Sequence, residues 1–430
     1  MANKKFSEFT LKTDSANVDF VVGYDGTDNV RIAPDNLGGG GASDLNGLSD
    51  VSVDLTNDSA YFVNIPSGLS GATGNLIIGE NAGNALTSQD NMIAIGSNAL
   101  SANNNALAEN AIFIGKDAGK NMTANVSNST VIGTYAAENS SDLSNGAVIL
   151  GYRALRYGGA TFSVYIGNNA AANNTDQWGY SSVGIGNCVL LNSVTNSSVV
   201  IGQNAQNNGN ANKTVVLGYE GARNVSSDGH VSVGWRAGYS QTSGASNTNV
   251  GYEAGKNNTT GSYNTNLGYQ ALKTNTASNN TAVGYQAGTA ITTGSNNIVI
   301  GYQAAASAVD VSNEITLGDA NIATLRCQVQ TISALSDSRD KTNVQPSTYG
   351  LDLITQLQPV TFDWNMRDGA KVGQKDLGFI AQELQEVDDE NLQLVYDNNP
   401  DRLEASYGRL IPVLVQAIKE LKAEVELLKA

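Results

Sequence analysis

A short apolar run closed by glycine recurs through the middle of the chain, from "NLIIG" through "AIFIG", "SVVIG" and "NTNLG" to "EITLG". The closing glycines are Gly79, Gly96, Gly115, Gly133, Gly151, Gly167, Gly186, Gly202, Gly218, Gly234, Gly251, Gly268, Gly284, Gly301 and Gly318, which makes 15 anchors. The 14 intervals run from 16 to 19 residues, and (318 − 79)/14 is about 17. Each repeat offers three to five β-branched or aliphatic residues followed by polar turn residues, the pattern of a short strand. None offers the periodic run of about ten residues that a helix needs. A period this short, repeated this often, predicts a mainly β fold whose repeats stack as the coils of a β-solenoid or β-roll. The third residue after the anchor is Ala in 12 of 15 repeats, with Val189, Gly221 and Asn321 as the exceptions. A column of tiny side chains implies a narrow corner, where a larger residue would overpack at a cost of roughly 1–3 kcal/mol. We expect about two short strands per coil, joined by turns rich in Asn, Ser, Thr and Gly. At about 4.8 Å per coil the array would make a shaft section roughly 70 Å long.

The flanks differ from the array. Residues 1–37 alternate in strand-like runs, "VDFVVGYDG" and "NVRIAP", and read as a β-rich anchoring segment. Gly38–Gly41 reads as a flexible joint, and 38–74 as a linker with short strands leading into the array at 75–318. A connector spans 319–335. From Ser336 to Ala430, 27 of 95 residues are charged, against 64 − 27 = 37 in the preceding 335, and only 5 are Gly. A different, α+β fold therefore begins near Ser336. "QPVTFDW" predicts a strand and "FIAQELQEV" a helix. Ile411, Leu414, Ile418, Leu421, Val425 and Leu428 are spaced 3, 4, 3, 4, 3, the seam of a short coiled coil over about 411–429. Ile and Val alternating with Leu would by itself favour two strands. A coil of about 17 residues supplies so few core side chains that three chains sharing one axis would hide more apolar surface.

Composition narrows the chemistry. The net charge is −16, from 24 basic and 40 acidic residues, with no basic patch, so phosphate backbones are repelled and a nucleic-acid role is disfavoured. No Pro occurs between Pro66 and Pro346, as expected for continuous hydrogen-bonded structure. The single His230 leaves no His-based triad or multi-His metal site, and Cys188 and Cys327 form no metal or disulfide pattern. No cofactor is expected. The start "MANKKFSEFT" lacks the apolar core of a signal peptide, and no run is long enough to span a bilayer. Synthesis in a cytoplasm without membrane insertion follows. The Tyr residues just after anchors, Tyr152, Tyr219, Tyr252, Tyr269, Tyr285 and Tyr302, are expected to pack structurally. An exposed aromatic ladder for sugar is the alternative, and Trp178 and Trp235 carry the same two readings.

"GYQAGTAITTGSNNIVIGYQAA", 284–305, resembles the repeats of phage tail fibres and, more distantly, the head repeats of trimeric autotransporter adhesins. At the C-terminus, "SDSRDKTNV", "LITQLQPVTFDW", "GFIAQELQEV" and "SYGRLIPVLVQAIKELKAEVELLK" follow one another in order. They resemble the intramolecular chaperone auto-processing domain of phage tailspikes and tail fibres. The resemblance implies a foldase that brings three chains together, lets the β-rich shaft fold, and then cuts itself off. The implied cut lies between Leu335 and Ser336. The implied dyad is Ser336 and Lys341, with Asp337 and Arg339 orienting the turn. Without histidine, a lysine can activate serine if burial lowers its pKa. Gly378 and Phe379 match the family motif, whereas Asp376 stands where the family carries His.

The resulting expectation is a virion structural protein, a homotrimeric tail fibre or appendage. Its N-terminus would meet other tail or baseplate proteins, and it would attach to a host-surface glycan or protein. Its enzyme activity would be a single-turnover Ser/Lys self-cleavage, with no external substrate. A glycan depolymerase is the first alternative and would need paired carboxylates over a groove. Glu80, Asp117 and Glu253 do not recur as a pair. A bacterial surface adhesin is the second alternative, disfavoured by the missing export signal and anchor.

Overall fold

The structure, a computed structural model of one chain, describes residues 72–430 apart from 144, 174–177, 194, 329–332, 368, 370 and 430, with the backbone of four earlier strands. Those strands are Phe20–Tyr24 with Asn29–Ile32, and Val51–Asp54 with Ser59–Phe62, each an antiparallel pair. The Gly38–Gly41 joint and the rest of 1–71, which include most of the 1–37 anchoring segment, lie outside the described residues. By its internal contacts the chain divides into two units, 1–246 and 247–430.

The first unit is a parallel β-solenoid. Ser59–Phe62 pairs in parallel with Leu76–Ile78, and from there each three-residue strand pairs in register with the next. The ladder passes through Ile93–Ile95, Ile112–Ile114, Thr130–Ile132, Val148–Leu150, Val164–Ile166, Val183–Ile185, Val199–Ile201 and Val215–Leu217 to Val231–Val233. The middle residue of each strand points inward, so Ile77, Phe113, Val131, Ile149 and Tyr165 are buried. An anchor glycine closes each strand because nothing else fits. Gly115 has φ +135, and a Cβ there would stand 2.6 Å from the carbonyl carbon of Gly133 in the next coil. The Ala column then makes the corner: Ala82 donates its N–H to the Gly79 carbonyl at 3.2 Å, and Ala82, Ala99, Ala118, Ala136, Ala154 and Ala170 are fully buried.

One expectation is corrected. Most coils carry one strand, not two. Three left-handed bends per coil explain this: in one coil they fall at Asn91 (φ 57), Asn98 (φ 56) and Leu100 (φ 50). Each such residue turns the chain before a second run of extended backbone can form. The backbone still bonds from coil to coil by single links, as from Gly83 N to Ala99 O and from Leu100 N to Ala118 O, both at 2.8 Å. Among the described residues a second parallel ladder runs over Asn139–Asp142, Tyr157–Thr161 and Trp178–Tyr180, with single bridges at Asp90–Glu109 and Tyr180–Asn196.

In the second unit the same ladder geometry runs from Thr248–Val250 through Thr265–Leu267, Thr281–Val283 and Ile298–Ile300 to Ile315–Leu317. Its interior is partly polar. Asn249 and Asn266 are buried and bond side chain to side chain at 2.7 Å. Beside them runs a buried column, Asn247, Asn264, Asn280 and Asn297, each preceding a strand. Each Oδ1 accepts the backbone N–H of the next member, and each Nδ2 donates to a corner carbonyl, Asn264 to Ala277 and Asn280 to Gly294 at 2.8 Å. The amides of this column are stable in the interior because both ends are satisfied.

Beyond the ladder the fold becomes α+β. Helix α1 (Leu351–Ile354) packs on helix α3 (Leu410–Lys429), and Glu420 of α3 accepts the Leu351 N–H at 2.6 Å. Val360–Asp363 pairs antiparallel with Lys375–Gly378, and Val395–Tyr396 with Glu404–Ala405. Helix α2 (Ala381–Gln385) is shorter than the predicted run. Leu353, Leu384, Leu392, Leu394, Leu410 and Val413 form a small core. Pro412 is tolerated in α3 because it falls in the first turn. The seam residues Ile411, Leu414, Ile418, Leu421, Val425 and Leu428 are all exposed in the single chain.

Candidate functional site

The charged cluster at 336–341 is organised by one tight turn. Ser338–Asp340 form a single 3-10 turn, capped at its start by Asp337, whose carboxylate accepts the Arg339 N–H at 2.9 Å. The turn reverses the chain just enough to bring residues five apart together. Lys341 Nζ donates to Ser336 Oγ at 2.5 Å, and its other neighbour is the Ser336 carbonyl at 3.4 Å. Arg339 forks onto Asp337, with Nη2 to Oδ2 at 2.6 Å and Nε to Oδ1 at 3.0 Å. The guanidinium and the Arg339 N–H hold the Asp337 carboxyl below its usual range, and Asp337 in turn raises Arg339. The pair braces the turn and leaves the hydroxyl and amine to each other.

All of this lies in solvent. Leu335, Ser336, Asp337, Arg339 and Lys341 are exposed in the single chain. A lysine serves as base where it is desolvated, so burial at this site would have to come from another surface.

Asp376, Gly378 and Phe379 belong to a different cluster. Asp376 faces Phe362 across the hairpin, accepts the Trp364 Nε1–H at 3.1 Å and caps the Leu377 N–H at 2.8 Å. These bonds, the backbone one first, lower its carboxyl pKa. Gly378 lies against the Tyr407 hydroxyl, which a Cβ would strike, and that hydroxyl takes the Phe379 N–H at 3.2 Å. The Phe379 and Tyr407 rings meet edge to face at 5.7 Å. Gly378 and Phe379 thus lock the hairpin onto the segment leading into α3, and Asp376 braces the hairpin itself rather than meeting Ser336 or Lys341.

Three acids of the array are committed elsewhere, whereas Glu80 is exposed. Glu253 is buried and bridges Lys256 at 2.5 Å and Lys273 at 2.7 Å, with Gln270 at 2.9 Å. Burial pushes its carboxyl up, but those donors outweigh burial and bring it to about 2. Asp117 is held by Lys120 at 3.3 Å and Asn98 at 2.9 Å. Glu220 is held by Arg223 and Arg236. The Glu253 carboxylate, held so far below neutral pH, cannot shuttle protons there.

The aromatic column is a stack. Tyr252, Tyr269, Tyr285 and Tyr302 have neighbouring centroids 5.0, 5.0 and 5.2 Å apart and planes within 8 to 11°. Tyr219 and Trp235 stack likewise at 6.1 Å. The inner rings of the stack turn their faces to one another and only their edges to water. All four rings are also exposed, so the column is at once a packed stack and an exposed aromatic ladder. The side chain of Trp178 lies outside the described residues.

His230, the single histidine, is fully buried beside Ser227 Oγ at 3.0 Å. Among the described residues no helix is long and apolar enough to cross a membrane.

Comparison with known proteins bears on the C-terminal cluster. Residues 336–393 match the family model described as chaperone of endosialidase. Neither the curated proteins nor the solved structures gave a match. The matched segment begins at the serine of the Ser336–Lys341 pair and runs through both the hairpin and α2. The C-terminal region therefore carries a chaperone-of-endosialidase domain preceded by a β-solenoid, the arrangement typical of phage tail fibre and tailspike proteins.

Proposed function

We propose that the chain is the subunit of a trimeric virion appendage, a tail fibre that attaches to a host surface. In this reading 336–430 act as an intramolecular chaperone that assembles three chains and then severs itself between Leu335 and Ser336. The observation that carries the reading is the 2.5 Å contact between Lys341 Nζ and Ser336 Oγ at the first residue of the family match.

The chemistry balances without a cofactor. Ser336 Oγ attacks the Leu335 carbonyl carbon while the neutral Lys341 amine takes the hydroxyl proton. The Leu335–Ser336 peptide bond breaks, and the proton passes to the departing Ser336 nitrogen. The ester left between Leu335 and Ser336 Oγ is hydrolysed by one water, which releases the Leu335 carboxylate and restores the hydroxyl. Because the dyad is exposed in one chain, its desolvation comes from the other two chains, and cutting waits for assembly.

Two surfaces support association. The α3 seam is exposed along its length in the single chain. Along the solenoid, the outer strand positions are apolar yet part-exposed, as at Val199, Ile201, Val215 and Leu217 in the first unit and Ile298 and Ile300 in the second. Apolar faces of this kind are buried in obligate assemblies. They also carry no charge, so three copies of a −16 chain can meet there. A glycan depolymerase finds no support in Glu253, Glu220 or Asp117, each already ion-paired.

The test is a denaturing gel of the purified chain beside Ser336→Ala and Lys341→Met. The unaltered chain is expected to lose 430 − 335 = 95 residues, and both variants to stay whole. Identical full-length bands in all three would remove the self-cutting step.

A further inference from the structure

The buried Asn column ends in a different residue. Asn247, Asn264, Asn280 and Asn297 each hand their Oδ1 to the N–H of the next member, and the last link runs from Asn297 to the Glu314 N–H at 3.0 Å. Glu314 occupies the same register position in the final coil, just before Ile315–Leu317. Among the described residues no further coil follows to use an amide there. The Glu314 carboxylate instead gathers donors at the open end of the ladder. It accepts the Ser307 N–H at 2.9 Å, the Ser307 hydroxyl, the Thr316 hydroxyl at 2.9 Å and the Tyr396 hydroxyl at 2.9 Å. These donors outweigh burial and hold its carboxyl below the usual range.

Tyr396 lies in the α+β region just beyond the matched 336–393, in the part read here as chaperone, so the site the next coil would fill is taken by that region. Asn398 Nδ2 donates to the same Tyr396 oxygen at 2.6 Å, and Asn399 Nδ2 donates to the Ser307 carbonyl at 2.9 Å. The two surfaces stay distinct: an open cleft of about 690 Å³ lies beside them, walled by Gly318 and Asp319 on one side and Arg402 and Glu404 on the other. A terminal solenoid coil needs such a cover, because its edge otherwise presents unpaired backbone groups.

We propose that Glu314 and the Ser307 carbonyl form the docking site of the chaperone region on the last coil, engaged by Tyr396 and Asn399. Through this contact the severed fragment stays bound after the Leu335–Ser336 bond is broken. Release is thus a second step, set by the dock rather than by the cut. This rests on the self-cutting reading above, and the test is built to separate the two.

The full chain carries an affinity tag after Ala430. It is prepared once as it stands, and once with Ser336→Ala plus a site-specific protease sequence inserted between Ala334 and Leu335. After cutting, the tag is captured under native conditions, and the 1–335 fragment retained over time is read on a denaturing gel. The unaltered dock is expected to retain the shaft fragment. Tyr396→Phe, which keeps the ring, and Glu314→Gln are expected to lose it at least tenfold faster, with the extent of cutting unchanged. Immediate separation of the fragments with the dock intact overturns the proposal, as does equal retention by Tyr396→Phe, the variant least able to disturb folding. A self-cutting chain that stays uncut, beside an enzyme-cut chain that retains its fragment, removes the self-cutting step and leaves the dock standing.

Discussion

Replacing Gly115 by alanine probes the rule that builds every coil. The residue has φ +135, and an added Cβ would lie 2.6 Å from both the carbon and the oxygen of the Gly133 carbonyl and 3.1 Å from Thr134 N. Two costs add. The backbone conformation itself costs an L-residue about 1–2 kcal/mol, and forcing adjacent coils apart costs about 1–3 kcal/mol more, because backbone cannot rotate away as a side chain can. Gly146 separates the terms. It has φ +85, and the nearest atom to its added Cβ is the Asn128 carbonyl oxygen at 3.8 Å, ordinary contact. Gly146→Ala should therefore lose only the conformational part, about 1–2 kcal/mol, and Gly115→Ala about 2–5 kcal/mol in all. Urea unfolding followed by far-ultraviolet circular dichroism measures both. Equal midpoints for the two variants would refute the argument that the anchors are glycine because neighbouring coils touch there.

Two further outcomes follow from single residues. Glu253 has its carboxyl lowered to about 2 from 4.5, so it stabilises the fold above the higher value and loses that contribution as pH falls between them. Thermal stability should drop across about pH 4.5 to 2, and Glu253→Gln should flatten that part of the profile; a variant with an unchanged slope would show that the Lys256–Glu253–Lys273 bridge contributes nothing. Ile418→Asp places a charge in the exposed seam of α3 and should leave the chain monomeric by light scattering, whereas a trimer of full mass would exclude the seam from the interface.

The regularity of the array was legible because the features that dictate it are intolerant of change. Anchor glycines leave no alternative residue and the Ala column admits few, so both recur in plain view. The number of strands per coil was not legible, because left-handed bends at residues as varied as Asn91, Tyr135 and Cys188 carry no common signature. The buried Asn column was also missed: nothing in the sequence marks Asn264 and Asn280 as enclosed, and only stacking shows it. Glu314 had a signal, a carboxylate breaking a run of asparagines at one register, but its meaning depends on Tyr396, 82 residues away. At the candidate site, the spacing of Ser336 and Lys341 followed from the motif and fits the turn at 338–340. The role of Asp376 required its partner Trp364 across a hairpin.

The account holds that the coils do not find a registered three-chain arrangement without the C-terminal region. Its most direct test is the assembly state of residues 1–335 expressed alone, beside the full chain, by sedimentation velocity. A trimer from the full chain, with monomeric or aggregated material from 1–335, is the predicted result. A soluble threefold particle formed promptly by 1–335 alone would contradict it.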